Sequence, residues 1–170
     1  MGRKIASRRS SLQLLEDVPY IPLQEYDRAK RAQVKVGDIL VTTTGQYLGR
    51  ACTIEELPVP AVASNNVTIL RPLPGIDLDH FFLAAVTSSD LGKQQIAQKQ
   101  ITSAGRPFIR RDDLGTISIP LPDKKKQKAI ATRLREMIST VQKLTQLAKQ
   151  IEAATEELVM AELFAGDNDA

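Results

Sequence analysis

The sequence predicts an α+β protein: a β-rich domain with short helices, followed by one long C-terminal helix that forms a coiled coil. Short β-rich runs separated by Gly and Pro fill residues 34–72, and a helical pattern follows within residues 77–99. The run from Lys124 to about Phe164 contains neither Gly nor Pro. We therefore divide the chain into a folded domain at 1–122, a long dimerisation or spacer helix at 123–165 and a disordered tail at 166–170.

The first part of the chain is basic and then extended. Residues 1–17 are polar and basic, and they fit either a flexible arm or part of a first strand. Two elements follow in order. Prolines favour an extended edge segment at 18–23, and charged residues predict a short helical turn or loop at 25–32.

The sheet signals begin next. Residues 34–38 predict a short strand that ends in a turn, and residues 39–43 continue as a β-rich run. Gly45 breaks that run, and residues 48–54 predict the returning strand. Residues 61–70 predict one further strand, which the following Pro residues end.

Short helices and a closing strand complete the domain. Asp77 or Asp79 is placed to cap a helix over residues 80–86, and a second short helix is expected at 91–99. Residues 107–109 are expected to be extended. The alternation in LGTISIPL predicts a closing strand at 114–121, after which Asp123 is the expected N-cap of the long helix.

The long helix carries apolar residues in alternating steps of four and three, which is the spacing of a coiled-coil seam. The seam positions are Ile130, Leu134, Met137, Val141, Leu144, Ala148, Ile151 and Leu158, with Thr155 as a weak position. A helix of this length spans roughly 60 Å, more than the width of a small domain. The helix either lies on its own domain or pairs with another such helix, in a second copy or in another subunit.

Composition argues for binding rather than catalysis. Hydrophobic residues make up 42% and charged residues 25% of the chain, typical of a globular protein rather than a disordered or membrane-embedded one. The N-terminus lacks the apolar core of a signal peptide, so a cytoplasmic protein is expected. A single Cys and a single His leave too few ligands for a zinc site, and His80 is expected on a helix surface. We expect no catalytic residue and no metal.

One basic stretch, at residues 91–111, has the composition of a nucleic-acid contact. It contains five Lys or Arg residues, several amides and no acidic residue. Lys and Arg neutralise phosphates, while Gln and Arg suit paired hydrogen bonds at base edges. The candidates are Lys93, Gln98, Lys99, Gln100, Ser103, Arg106, Arg110 and Arg111. An ordinary solvated basic face is the alternative.

A second candidate is the loop around TTTGQYLGR, which combines hydroxyls, an amide, an aromatic ring and a cation. Its candidate contacts are Thr42, Thr43, Thr44, Gln46, Tyr47 and Arg50. A plain hairpin with β-branched flanks explains the same residues. Ser64, Asn65 and Asn66 form a third and weaker candidate, because Asn is also common in turns and bulges.

Three segments in sequence resemble one known family. VKVGDILVTTTGQYLGRA, VASNNVTILRP and LGTISIPLPDKKKQKAIATRL, followed by a long helix, are similar to the specificity (S) subunits of type I restriction-modification systems. Two features depart from the family. Lys126 precedes Gln127 where members usually have Glu, and the chain has one recognition domain and one helix where the usual subunit has two. The chain therefore resembles a half-subunit.

The resemblance implies a function without catalysis. A target recognition domain would read double-stranded DNA, and the helix would set the geometry of an antiparallel homodimer on a bipartite site. The partners implied are the methyltransferase (M) subunit, which brings S-adenosylmethionine, and the restriction (R) subunit, which brings ATP and Mg²⁺. No cofactor is expected on this chain. The alternative is a coiled-coil adaptor whose head binds protein and does not read DNA.

Overall fold

A computed structural model describes residues 2–5, by their backbone only, and residues 20–164. The predicted tail at 166–170, and most of the predicted arm at 1–17, lie outside the described residues. The α+β class is confirmed. The strands are β1 (Gly2–Ile5), β2 (Tyr20–Ile21), β3 (Ile39–Thr42), β4 (Ala51–Thr53), β5 (Ala61–Ala63), β6 (Val67–Leu70), β7 (Ile101–Ser103) and β8 (Arg106–Phe108). The helices are α1 (Leu23–Arg28), α2 (His80–Ser88), α3 (Asp90–Lys99), α4 (Arg111–Leu114) and α5 (Lys124–Phe164).

The chain divides into two compact units, Met1–Ala131 and Thr132–Ala170. The first unit holds three small sheets, with strand orders β2-β1-β5, β4-β3-β6 and β7-β8. β1 runs parallel to β5 and antiparallel to β2. The backbone of residues 2–5 therefore adopts the strand that was one of the two alternatives for the N-terminal segment.

β3 is the central strand of its sheet, between β4 and β6, and all four of its residues are buried. Successive side chains of a strand point to opposite faces, and two core clusters form accordingly. Leu40 packs with Cys52 and Ile54 on one face. Ile39 and Val41 pack on the other face, against residues of α2, α3 and the segment that follows β8. The short hydrophobic run of β3 therefore supports both halves of the core.

The two helices after the sheet form as predicted, and Asp79 is the cap. Its Oδ1 accepts a hydrogen bond from the Phe82 amide at 2.8 Å, which satisfies a free donor at the start of α2. α3 approaches α2 so closely that a Cβ on Gly92 would lie 2.1 Å from the Thr87 carbonyl oxygen. Glycine is therefore required at position 92 by backbone packing.

Two predicted strands differ in the structure. The strand predicted at 61–70 is broken into β5 and β6, because the Val67 amide donates to the Ser64 carbonyl at 3.0 Å and closes a turn. The two halves then join different sheets. The strand predicted at 34–38 is wrong: a single bridge, between Gln33 and Val62, precedes it, and residues 36–37 form a turn that leads into β3. Short turns override the β propensity in both places.

The closing strand predicted at 114–121 is wrong. The chain leaves α4 through a turn, and residues 117–123 belong to no helix or strand. The Gln95 side chain takes the place of a neighbouring strand. Its Nε2 donates to the Ser118 carbonyl and its Oε1 accepts from the Ser118 amide, both at 2.9 Å. An alternating sequence here produces an extended segment that pairs with an amide side chain instead of a sheet.

The β7-β8 hairpin was not predicted, apart from the extended residues 107–109. Its two turn residues both have positive φ, 49° at Ala104 and 74° at Gly105. Two such residues match the right-handed twist of the paired strands in a two-residue hairpin turn. The sequence signal was weak because alanine rarely occupies this conformation.

The long helix has the predicted bounds, Lys124–Phe164, and Asp123 caps it through a 2.9 Å hydrogen bond from the Lys126 amide. Its first turns belong to the first compact unit. There the buried Gln127 side chain accepts from the Asp79 amide at 2.9 Å and donates to the Pro122 carbonyl at 2.8 Å. Within the described residues, no helix combines the length and the apolar character that crossing a membrane requires.

Candidate nucleic-acid interface

Two of the candidate segments lie side by side in the structure. The Gly45 amide donates to the Pro107 carbonyl at 2.9 Å, and the Ile109 amide donates to the Thr43 carbonyl at 3.0 Å. A bridge between Thr44 and Phe108 completes the pairing. The loop after β3 and the β7-β8 hairpin are therefore joined by backbone hydrogen bonds into one surface.

The third candidate, the Ser64-Asn65-Asn66 turn, joins the same region. The Asn66 carbonyl accepts hydrogen bonds from the Thr43 amide at 2.8 Å and from the Thr43 hydroxyl at 3.3 Å. Thr42 and Thr43 are only 8% and 6% exposed. These two predicted contact residues therefore lie beneath the surface and support it, while Thr44 is half-exposed.

The loop at 44–50 presents an aromatic ring and a cation that contact each other. Gln46 and Tyr47 are exposed at its tip, and the Arg50 guanidinium lies 4.2 Å from the centroid of the Tyr47 ring. A guanidinium stacked on a ring keeps its fork of donors in a defined plane. The stacking therefore fixes the plane of the Arg50 guanidinium, a group that can form paired hydrogen bonds with a base edge or with two oxygens of a phosphate.

Helix α3 also contributes to this surface. A Cβ on Gly49 would lie 2.8 Å from the Cδ1 atom of Ile96, so the loop packs directly on that helix.

Most of the predicted contacts of the basic stretch are exposed, and Lys99 is half-exposed. The exposed residues are Lys93, Gln98, Gln100, Ser103, Arg106, Arg110 and Arg111.

The cations of the basic stretch lack ion-pair partners among the described residues. The ion pairs of Arg71 with Asp38 and of Lys124 with Asp77 use other side chains. A set of uncompensated cations beside amides and a stacked arginine can neutralise phosphates and donate to base edges. In the described part of the chain, no group of three His, Cys, Asp or Glu side chains is placed to hold a metal.

Sequence analysis did not single out the ion pair between Asp38 and Arg71. Asp38 is 1% exposed, and its two carboxylate oxygens accept from Nε and Nη2 of Arg71, each at 2.6 Å. This bidentate hydrogen bond raises the pKa of Arg71 above its ordinary value. The register of β3 with β6, Ile39 opposite Leu70, places these flanking residues together. The pair is structural, and the strand pairing was the signal that could have found it.

A groove was also missed. It has a volume of about 490 Å³, and its walls include Arg31, Ser64, Asn65, Thr68 and Arg111. Arg111 and the Ser64-Asn65 turn were candidates from the sequence, whereas Arg31 was not. Arg31 lies in a charged segment without a motif, and only the tertiary structure places it beside the other two segments.

The second candidate surface is the seam of α5. Ile130 and Leu134 are half-buried, and Ala148 is exposed. The larger seam residues further along are about 60% exposed: Met137, Val141, Leu144, Ile151 and Leu158. A row of large apolar side chains in water is unfavourable by about 25 cal/mol for each Å² of exposed apolar surface. The seam is therefore the kind of surface that a second helix covers.

A small α+β domain with a surface of cations and amides, and a long helix with an exposed seam, fit the class of DNA-recognition proteins. The chain belongs to the family of type I restriction modification DNA specificity domains, whose family model matches residues 15–153. The resemblance seen in the sequence is confirmed. The prediction that the chain is not an enzyme is confirmed by the same family, which is one of DNA specificity domains.

Known relatives agree with this family and are longer. The type I restriction enzyme MjaVIII specificity subunit of Methanocaldococcus jannaschii is 25% identical over 147 residues, which are 85% of this chain and 34% of that protein. The crystal structure of the HsdS subunit from Thermoanaerobacter tengcongensis matches with a TM-score of 0.55 at 21% identity, over 82% of this chain and 37% of that one. This chain therefore spans about a third of the length of each.

A further solved structure has the same fold. It comes from work on the structural basis of complex assembly and conformational transition of the type I R-M system. It matches with a TM-score of 0.61 at 21% identity, over 82% of this chain and 37% of that one. At this level of identity the likeness concerns the fold.

Proposed function

We propose that this chain is a sequence-specific DNA recognition subunit of a type I restriction-modification system, and that it binds double-stranded DNA through the surface formed by residues 44–50 and 91–111. The observation that carries the proposal is the convergence of these segments, which the hydrogen bonds from Gly45 to Pro107 and from Ile109 to Thr43 hold together. Segments separated along the chain thus contribute cations and amides to one surface.

The residues of this surface have different roles in the proposal. Arg106, Arg110 and Arg111 contact phosphates, because they are exposed and without ion-pair partners among the described residues. Arg50 and Tyr47 contact base edges or a phosphate from the loop tip. The remaining proposed contacts are Thr44, Gln46, Lys93, Gln98, Lys99, Gln100 and Ser103. Thr42 and Thr43 are left out because they are buried.

We further propose that two copies pair through α5, running antiparallel, and read two inverted half-sites separated by a fixed gap. The exposed row of seam residues supports this pairing, since it offers a second copy an apolar stripe of matching length. A two-fold dimer presents two identical readers, which require a site with the same symmetry. Ala148 and Thr155 are small seam residues that let two helices approach closely.

In this proposal the dimer directs methyltransferase and restriction subunits to the site, in the cytoplasm where the DNA lies. S-adenosylmethionine and ATP with Mg²⁺ then bind to those partner subunits, not to this chain. The alternative, an adaptor that binds only protein, gives no reason for a surface rich in cations and amides at residues 91–111. It also does not fit a chain whose family is defined by DNA specificity.

The test is DNA binding by the Arg106→Ala plus Arg110→Ala variant. We expect affinity for mixed-sequence duplex DNA to fall at least about tenfold at low salt, since two phosphate contacts are lost. The slope of log affinity against log salt concentration is negative, and it should become less steep by about 2. Each lost phosphate contact means that about one counterion fewer is released on binding. Fluorescence anisotropy at several salt concentrations measures both quantities.

The matched control removes the same charge elsewhere. Lys143→Ala plus Lys149→Ala removes two cations from exposed positions of α5 that lie outside the seam. This control should change the affinity less than about twofold. An unchanged affinity and salt slope in the arginine variant would remove the β7-β8 hairpin and its flank from the DNA interface.

A further inference from the structure

The groove beside the proposed DNA surface has a composition of its own. Two arginines from distant parts of the chain line it, Arg31 from the turn after α1 and Arg111 from the start of α4. Ser64, Asn65 and Thr68 add hydroxyl and amide groups. Among the described residues that line the groove, the charged ones are these two arginines.

The backbone holds this arrangement in place. The Ala63 amide donates to the Ala32 carbonyl at 2.8 Å, which fixes the turn that carries Arg31 against β5. Gln33 then bridges Val62 in the same strand. Ser64 and Asn65 follow β5 directly, so the first arginine and the turn of hydroxyl and amide groups are attached to one short strand.

The charges of the groove are not neutralised within it. In the part of the chain that the structure describes, neither Arg31 nor Arg111 forms an ion pair. Asp112 and Asp113 follow Arg111 in the sequence, but neither lines the groove. Two guanidinium groups and neutral donors around one space favour an oxyanion with several acceptor oxygens.

The groove also has an apolar part, formed by Ala32, Ala63, Val67 and Ile69. A bare phosphate occupies much less than about 490 Å³, so the space admits a larger group attached to it. The sugar of a nucleic-acid backbone presents a carbon face next to its phosphate. Such a wall suits that face, which an inorganic anion lacks.

We propose that this groove binds one sugar-phosphate unit of the DNA backbone, with Arg31 and Arg111 on the phosphodiester and the apolar wall against the deoxyribose. The inference rests on the proposed function. Arg111 connects the two sites, because it ends the basic stretch and also lines the groove. The groove therefore extends the DNA contact from the β7-β8 hairpin towards β5 and adds Arg31 as a positioning residue that binds every sequence alike.

The experiment compares Arg31→Ala with Lys30→Ala on a duplex that carries the sequence recovered by in vitro selection with the wild-type protein. Both residues are exposed neighbours and both substitutions remove one positive charge, but only Arg31 lines the groove. We expect Arg31→Ala to bind about tenfold more weakly and to reduce the salt slope by about 1. Lys30→Ala should change the affinity less than about twofold.

A second measurement identifies the phosphate. Single methylphosphonates, which remove one backbone charge, are placed at successive positions of the duplex. At the position bound by the groove, the substitution should weaken the wild type about tenfold and have no further effect on Arg31→Ala. At positions bound by the hairpin, it should weaken both proteins equally.

The outcomes separate the two proposals. If the wild type binds no duplex DNA, the proposed function fails and the groove assignment fails with it. If the Arg106→Ala plus Arg110→Ala variant loses affinity while Arg31→Ala binds like the wild type, only the groove assignment fails. Equal losses in Arg31→Ala and Lys30→Ala would also overturn it, because they would show a general effect of charge. Since Arg31 is exposed, its removal should leave the thermal unfolding midpoint unchanged.

Discussion

Large aliphatic side chains differ in solvent exposure between the core of the first compact unit and the helix of the second. In the first unit, Ile39 and Ile54 are fully buried between small sheets and short helices. In the second, Leu144 is 60% and Ile151 59% exposed on a helix of the same chain. The first unit buries the apolar residues of its central strands with its own elements. The second exposes a row of them on a surface suited to another helix.

The comparison shows that the spacing of apolar residues predicts the type of element, whereas it does not predict whether those residues are buried. The apolar periodicity of α5 is more regular than that of any short strand, and it predicts a helix without saying what covers it. Within the first unit, the short apolar runs of β3 and β4 are fully buried. The regular periodicity here belongs to an exposed surface, and the short apolar runs of β3 and β4 belong to the core.

The largest expected effect comes from placing charge in the seam. Leu144→Asp plus Ile151→Asp puts two carboxylates per copy into the proposed dimer contact, where desolvation is costly. The dissociation constant of the dimer should rise at least about a thousandfold, which corresponds to about 4 kcal/mol. Light scattering across a range of protein concentrations measures it.

The control for the seam variant is Gln146→Asp plus Ala153→Asp. These positions have the same seven-residue spacing and lie about 200° around the helix from Leu144 and Ile151. This variant should remain as dimeric as the wild type. A wild type that is monomeric at micromolar concentration would contradict the homodimer and would indicate that the partner helix belongs to another chain.

Breaking the first unit should have the next largest effect. Gly92→Ala forces a methyl group to within 2.1 Å of the Thr87 carbonyl oxygen, so α2 and α3 must separate. We expect a loss of about 3 kcal/mol in the free energy of unfolding. The three tyrosines, at positions 20, 26 and 47, all lie in this unit, so near-ultraviolet circular dichroism follows its unfolding separately from the helix.

Gly115→Ala is the matched control for Gly92. Gly115 has helical φ and ψ, −65° and −15°, and a Cβ there would lie 3.3 Å from its nearest neighbour, the Asp112 carbonyl oxygen. It should cost clearly less than Gly92→Ala. Equal losses in both variants would mean that the close approach of α2 and α3 is not what position 92 protects.

The smallest of these effects concerns Gln127, which is buried at the start of α5, whereas the large seam residues further along the helix are exposed. Gln127→Ala removes the acceptor for the Asp79 amide and the donor to the Pro122 carbonyl. Both backbone groups lose a partner, and we expect a loss of about 2 kcal/mol in the free energy of unfolding of the first unit. Urea unfolding measures it. The exposed neighbour Lys128, changed to Ala, should alter it by less than about 0.5 kcal/mol.

Local signals predicted much of the fold. The bounds of α5, the caps Asp79 and Asp123, and the two short helices follow from residue chemistry within one turn of each position. The strand predicted at 114–121 failed because the partner of Ser118 is the side chain of Gln95, which no local pattern reveals. The single strand predicted at 61–70 is wrong because a turn at residues 64–67 divides the segment into two strands, which belong to different sheets.

The candidate site was predictable in composition but not in arrangement. The basic stretch and the hydroxyl-rich loop were visible as residue types, and most of those side chains are exposed. Their adjacency depends on backbone hydrogen bonds such as Gly45 to Pro107, which join distant segments. The burial of Thr42 and Thr43 depends on where β3 ends. Arg31 entered the site only through the pairing of its neighbours with β5.

The lone cysteine has a practical consequence. Cys52 is the one sulfhydryl in the chain, and it is 1% exposed in β4, packed with Leu40 and Ile54. A thiol reagent can reach it only when the sheet opens. The rate of its modification under native conditions therefore reports how often the core of the first unit opens. If the unit binds DNA as proposed, the same rate measured with DNA present shows how far the bound duplex restrains that opening.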